Sequence, residues 1–189
     1  IGVFGGTFDP PHHCHIAVAQ EVRHSLHLDD VLMVVANDPW QKTAVSMVTP
    51  ASTRLALCRM AFDPVDGLDV SDIEISRGGA SYTADTLAAL SGTDRELFLV
   101  VGSDAAAGLD TWKRADEVQR LATAVVVDRK GRQGGRPPAG WNHVVVDVPA
   151  LEISSSDLRA RFGTDRPVEG LLPRAVIDEV RSHGLYGSG

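Results

Sequence analysis

His12 and His15 stand three residues apart in the run Gly5-Gly6-Thr7-Phe8-Asp9-Pro10-Pro11-His12-His13-Cys14-His15. At that spacing two helical side chains point to one side and can reach one phosphate. The glycines before them let backbone N–H groups approach a ligand closely. A helix starting at the histidines adds unpaired N–H groups and a partial positive charge. Together these features make an anion site. A second anion site is readable in Ile153-Ser154-Ser155-Ser156-Asp157-Leu158-Arg159. It is a hydroxyl-rich helix start with an arginine in its first turn, suited to outer phosphates. Asp104, in Gly102-Ser103-Asp104, can accept hydrogen bonds from a ribose hydroxyl pair while the Gly102 backbone meets the nucleoside. Lys42, in Pro39-Trp40-Gln41-Lys42, is a further candidate cation, and Arg54 can support the same side.

Each of these features has a bland counterpart. The histidines can cap or pack at an ordinary strand-turn-helix. Asp104 and the serines can be plain N-caps. Lys42 can be a solvated loop lysine, and Trp112 a core residue. The run His12-His13-Cys14-His15 also invites a metal reading. Adjacent helical residues diverge by about 100°, so only His12 and His15 share a face. A structural zinc needs four ligands, and Cys58 and the other histidines lack ligand spacing.

These residues need a frame of strands and helices. Ile1-Gly2-Val3-Phe4 reads as a strand, and Val18, Val22 and Leu26 continue as a helical stripe. Strands are expected at 31–36, 70–75, 97–101, 124–127 and 144–148. Thr49 is expected as an N-cap with Pro50 at the first helical position, opening a helix to about residue 62. Thr83 is expected to cap a helix to Leu90, and residues 115–121 to form another. Ser155 or Ser156 should cap a short helix to Phe162, and Pro173 should open the last one, closed by Gly184. Residues 129–141, rich in Gly, Pro and Arg, read as a mobile surface loop. This alternation predicts an α/β fold, a Rossmann-like doubly wound parallel sheet with helices on both faces. Ligands of such sheets bind beyond the carboxyl ends of the strands, where the first motif and Gly102-Ser103-Asp104 fall.

The chain has 189 residues, 43% of them hydrophobic, which suits one globular domain over 1–189. A net charge of −7 speaks against a general nucleic-acid or anionic-membrane partner. No apolar run reaches membrane-spanning length. Strand-like residues come at once, without a signal-peptide pattern, and two cysteines make no disulfide framework. A cytoplasmic protein with reduced thiols is expected. Neither the P-loop pattern nor the dinucleotide fingerprint is present.

The Gly-Gly-Thr-Phe-Asp-Pro run before its histidine pair resembles the bacterial nicotinate mononucleotide adenylyltransferases, of the nucleotidyltransferase superfamily. Ser81-Tyr82-Thr83, Asp85-Thr86-Leu87, the Pro39 to Lys42 segment, the Gly-x-Asp and the Ile-Ser-Ser segment are similar to that family in the same order. The resemblance implies AMP transfer from ATP to nicotinate mononucleotide, giving deamido-NAD and pyrophosphate, with Mg²⁺ on the ATP. It implies catalytic roles for His12, His15, Lys42 and Arg159. It implies ATP contacts from Gly5, Gly6, Thr7, Phe8, His12, Cys14, His15, Gly102, Asp104, Ile153, Ser155, Ser156 and Arg159. Thr7, Lys42, Tyr82, Thr83 and Trp112 would meet the mononucleotide, with Trp112 stacked on its ring. Cys14 stands where the family motif has glycine, and its side chain is expected to crowd the adenosine. Phosphopantetheine adenylyltransferases share the first motif and are the alternative, with a weakly catalytic nucleotide-binding relative as another. Whether the chain forms a homo-oligomer stays open.

Overall fold

Valine-rich runs such as Val31-Leu32-Met33-Val34-Val35 are apolar on both faces, which suits strands covered from both sides. The computed structural model describes residues 1–39, 48–92, 94–129 and 134–187. Its strands are β1 (Gly2–Gly6), β2 (Val31–Val35), β3 (Leu68–Ser71), β4 (Phe98–Gly102), β5 (Thr123–Arg129) and β6 (His143–Val148). Its helices are α1 (His13–Ser25), α2 (Ala51–Phe62), α3 (Ile73–Arg77), α4 (Thr83–Leu90), α5 (Ser103–Ala106), α6 (Ala115–Leu121), α7 (Ser155–Phe162) and α8 (Arg174–Ser182). Short 3-10 turns span Leu109–Thr111 and Leu185–Gly187.

The strands form one six-stranded sheet in the order β3-β2-β1-β4-β5-β6, and every pairing is parallel. The expected doubly wound α/β architecture is therefore the one the chain adopts. Strand alternation feeds two layers. Val31, Met33 and Val35 pack with Leu57, Cys58, Phe62, Leu158 and Ile177 of α2, α7 and α8. Val3, Val34, Leu99, Val101 and Val126 pack on the other face with Ala84, Leu87 and Val118 of α4 and α6. Val100 and Val125 point back toward Val18 and Val22 of α1. The chain winds from β1 to β3 on one side and returns through β4 on the other. The crevice beyond the carboxyl ends of β1 and β4 is thus the switch point where such sheets bind ligands.

The structure corrects several local expectations. The strand at 70–75 is instead β3 ending at Ser71, followed by α3. Ile73 N–H donates to Ser71 Oγ at 3.3 Å, so the Ser-Asp pair turns the chain. The weak alternation from Val70 to Ile75 loses to that turn chemistry. Pro50, not Thr49, is the N-cap of α2, and Tyr82, not Thr83, is that of α4. Ser154 caps α7 in place of Ser155 or Ser156, its hydroxyl accepting from Asp157 N–H at 3.2 Å. The loop at 129–141 begins inside β5 and ends on Trp141, which is buried.

Candidate active site

β1 and β4 end side by side, and their glycines leave room above them. Gly5, Gly6, Thr7 and Gly102 line two neighbouring cavities, of about 760 Å³ and about 390 Å³. Every residue expected at ATP lines the larger one: Gly5 to Phe8, His12, Cys14, His15, Gly102, Asp104, Ile153, Ser155, Ser156 and Arg159. Thr7, Tyr82, Thr83 and Trp112 line the smaller one. Lys42, with Trp40 and Gln41, lies outside the described residues.

The first motif is held by close packing. A Cβ on Gly6 would come within 2.7 Å of the Phe8 ring, so glycine is required there. Phe8 itself adopts φ 48°, a strained value for a bulky residue, and is 3% exposed. Its ring meets His15 edge-on, with centroids 4.9 Å apart, and packs likewise on Phe62. Phe8 thus lines the larger cavity and packs against His15 at the same time. His12 is the N-cap, one place before the helix rather than in its first turn. Its backbone N–H donates to His15 Nδ1 at 3.2 Å, and the two rings stack at 3.7 Å. Because Nδ1 accepts, a neutral His15 carries its proton on Nε2.

His12 is 4% exposed, and among the described residues its Nδ1 has no hydrogen-bond partner. Burial, helped by neighbouring His13, lowers its pKa to about 4. The ring is therefore neutral at pH 7. That removes cation–cation repulsion from the stacked pair and leaves a neutral imidazole against the cavity. Cys14 is half-buried, lines the same cavity, and packs on the apolar group that holds Val148. Burial pushes its thiol pKa up, with Arg129 opposing. Cys14 and Cys58 are both free thiols.

The start of α7 is tied to this loop. Arg159 Nη1 donates to the Asp9 carbonyl at 2.7 Å, and Nη2 to Ser156 Oγ at 3.4 Å. Ser155 Oγ donates to the Pro10 carbonyl at 2.9 Å. Its hydroxyl proton is engaged there, so Ser155 fastens the motif to α7 as much as it faces the cavity.

Two buried ties hold the first motif, and no local sequence pattern marks either of them. Asp9 is 4% exposed and accepts from Tyr186 Oη at 2.7 Å and from Thr49 N–H at 3.2 Å. Arg54 is 1% exposed and donates to three carbonyls: Thr49 and Thr7 at 2.8 Å, and Asn37 at 3.1 Å. Burial lowers its pKa while nearby Asp9 raises it. Its guanidinium clamps the ends of β1 and β2 to the start of α2. On the smaller cavity, Glu74 accepts from Thr86 Oγ1 at 2.6 Å, and Asn37 N–H donates to Ser81 Oγ at 2.9 Å. Ser81 N–H donates to the Asp38 carbonyl, which fixes the segment that carries Tyr82 and Thr83.

Known proteins resemble this chain in sequence and in fold. The cytidylyltransferase-like family profile matches residues 3–161. A protein of Corynebacterium kroppenstedtii, described as a probable nicotinate-nucleotide adenylyltransferase, is 40% identical over 98% of this chain and 90% of its own length. One from Roseiflexus with the same description is 41% identical over 98% of this chain and 97% of its own. The chain belongs to the nicotinate-nucleotide adenylyltransferase family. The fold agrees with that of the Plasmodium falciparum nicotinic acid mononucleotide adenylyltransferase complexed with NaAD. The TM-score is 0.82 at 16% identity, covering 100% of this chain and 97% of the other. Among the described residues, no helix is long and apolar enough to cross a membrane.

Proposed function

We propose that this chain transfers AMP from ATP to nicotinate mononucleotide, releasing pyrophosphate and deamido-NAD. One observation carries the reading. Two cavities meet at Gly5-Gly6-Thr7, the larger lined by the histidine pair and Arg159, the smaller by Tyr82, Thr83 and Trp112. Two substrates held in them would react where the cavities join.

In this reading a mononucleotide phosphate oxygen attacks the α-phosphorus of ATP. The new P–O bond forms as the bond to the β-phosphate oxygen breaks, and pyrophosphate leaves. The nucleophile is already ionised at neutral pH, so no side-chain base is required. The protein contributes alignment and neutralisation of developing charge. Neutral His12 and the Nε2–H of His15 donate to phosphate oxygens, and Arg159 and Lys42 supply fixed positive charge. Asp104 and the Gly102 backbone hold the ribose, and Trp112 covers the pyridine. Among the described residues no group of three His, Cys, Asp or Glu could hold a metal ion. Mg²⁺ brought in with ATP would supply further charge neutralisation beside Arg159 and Lys42.

Pyrophosphate release from ATP tests the substrate, with nicotinate mononucleotide, its amide and phosphopantetheine supplied in turn. The acid form should give the highest kcat/KM and phosphopantetheine none. Faster turnover of phosphopantetheine would replace the assignment.

A further inference from the structure

The glycine-rich stretch after β5 is built into the sheet at one point. Asp128 is 2% exposed, and its carboxylate accepts both terminal nitrogens of Arg136, at 2.6 Å and 3.1 Å. Gly134 N–H donates to the same carboxylate at 3.4 Å. Arg136 Nη1 also donates to the Gly134 and Gly135 carbonyls, at 3.3 Å and 3.2 Å. A two-pronged pair of this kind fixes direction as well as distance. It presses two glycines onto the first turn of α5. A Cβ on Gly134 would overlap the Ser103 side chain. One on Gly135 would come within 2.6 Å of Ala107 Cβ and 2.9 Å of the Ser103 carbonyl. The contact needs glycine at both places. Gly134 in turn lines the larger cavity beside Gly102, Ser103 and Asp104.

We propose that Gly134-Gly135-Arg136 is a fixed wall of the nucleoside end of the larger cavity, with Asp128 and Arg136 as the positioning residues that hold it. This rests on reading that cavity as the ATP site. The wall sets the position of Ser103 and Asp104 against ribose and base, and it stands away from the smaller cavity. The hydrogen bonds from Arg136 lower the Asp128 pKa, so the pin is charged at neutral pH.

Two variants test it by different routes. Gly135→Ala pushes the wall off α5 with the ion pair intact, and Arg136→Gln removes the pin. ATP and nicotinate mononucleotide dissociation constants are measured by calorimetry for each, beside melting without ligand. Both variants should weaken ATP binding by roughly tenfold and leave the mononucleotide constant unchanged, since small misplacements of positioning groups are costly. Arg136→Lys keeps the charge but not the fork, and should recover part of the ATP affinity. Lower melting with unchanged ATP binding would reduce the pair to a structural brace and overturn the proposal. Equal loss of both constants would also overturn it. If the unaltered chain binds no ATP, the reading of the cavity falls, and the wall proposal with it.

Discussion

His12 couples stability to pH. Its imidazole titrates at about 4 when folded, against 6.5 for the unperturbed group. Between those values the unfolded chain binds a proton that the folded chain does not, so stability rises with pH across this window. The contribution is complete above about pH 6.5 and is lost as pH falls toward 4, at most about 3 kcal/mol. Urea unfolding from pH 7 to 4 should show this loss in the native chain and a shallower one in His12→Gln. Equal slopes would mean that His12 is accessible and ordinary. Cys14 poses a second question at this scale. Its side chain stands in the wall of the larger cavity, so Cys14→Gly should tighten ATP binding several-fold. Glycine in a helix costs about 1 kcal/mol relative to alanine, so melting without ligand should fall slightly. ATP binding that is unchanged or weaker would show that the thiol is accommodated. The histidines, Arg159 and Asp104 were legible in the sequence because each sits in a short motif whose geometry is local. Asp9 was visible, but its partner Tyr186 is 177 residues away, and nothing local announces that bond.

At the scale of elements, the ligand loop is braced from three directions: α7 through Arg159 and Ser155, α2 through Arg54, and the C-terminal turn through Tyr186. Tyr186 adopts φ 62° and its ring lies tilted against Phe162, with centroids 6.0 Å apart, so the ring has packing besides its hydroxyl bond. Tyr186→Phe keeps the ring and removes the donor to Asp9. The variant should lose about 1–3 kcal/mol in urea unfolding, the usual cost of leaving a buried acceptor without its donor. An unchanged midpoint would show that Asp9 does not depend on the turn. The strands were readable because parallel strands buried on both faces are near-continuous valine runs. Helix caps were misplaced by one residue wherever two or three hydroxyl or proline residues compete, as at Ser154 to Ser156. α3 was missed because five residues are too few to display a helical period. The packing of residues 134–136 was not readable at all, because it depends on Asp128 meeting Arg136, a contact set by the tertiary fold.

For the whole molecule, the sheet order places the carboxyl ends of β1 and β4 together and opens both cavities on one rim. Alternation of strands and helices was enough to expect that rim. It was not enough to divide it into two cavities, because each is lined by side chains brought together from several separate segments. Direct transfer of AMP onto the mononucleotide phosphate, across the junction of those cavities, has an isotopic signature. Nicotinate mononucleotide whose phosphate oxygens carry ¹⁸O is mixed with unlabelled ATP and the protein, and both products are read by mass spectrometry. All of the label should stay in deamido-NAD, and the pyrophosphate should carry none. Label in the pyrophosphate, or no dinucleotide formed, would contradict it.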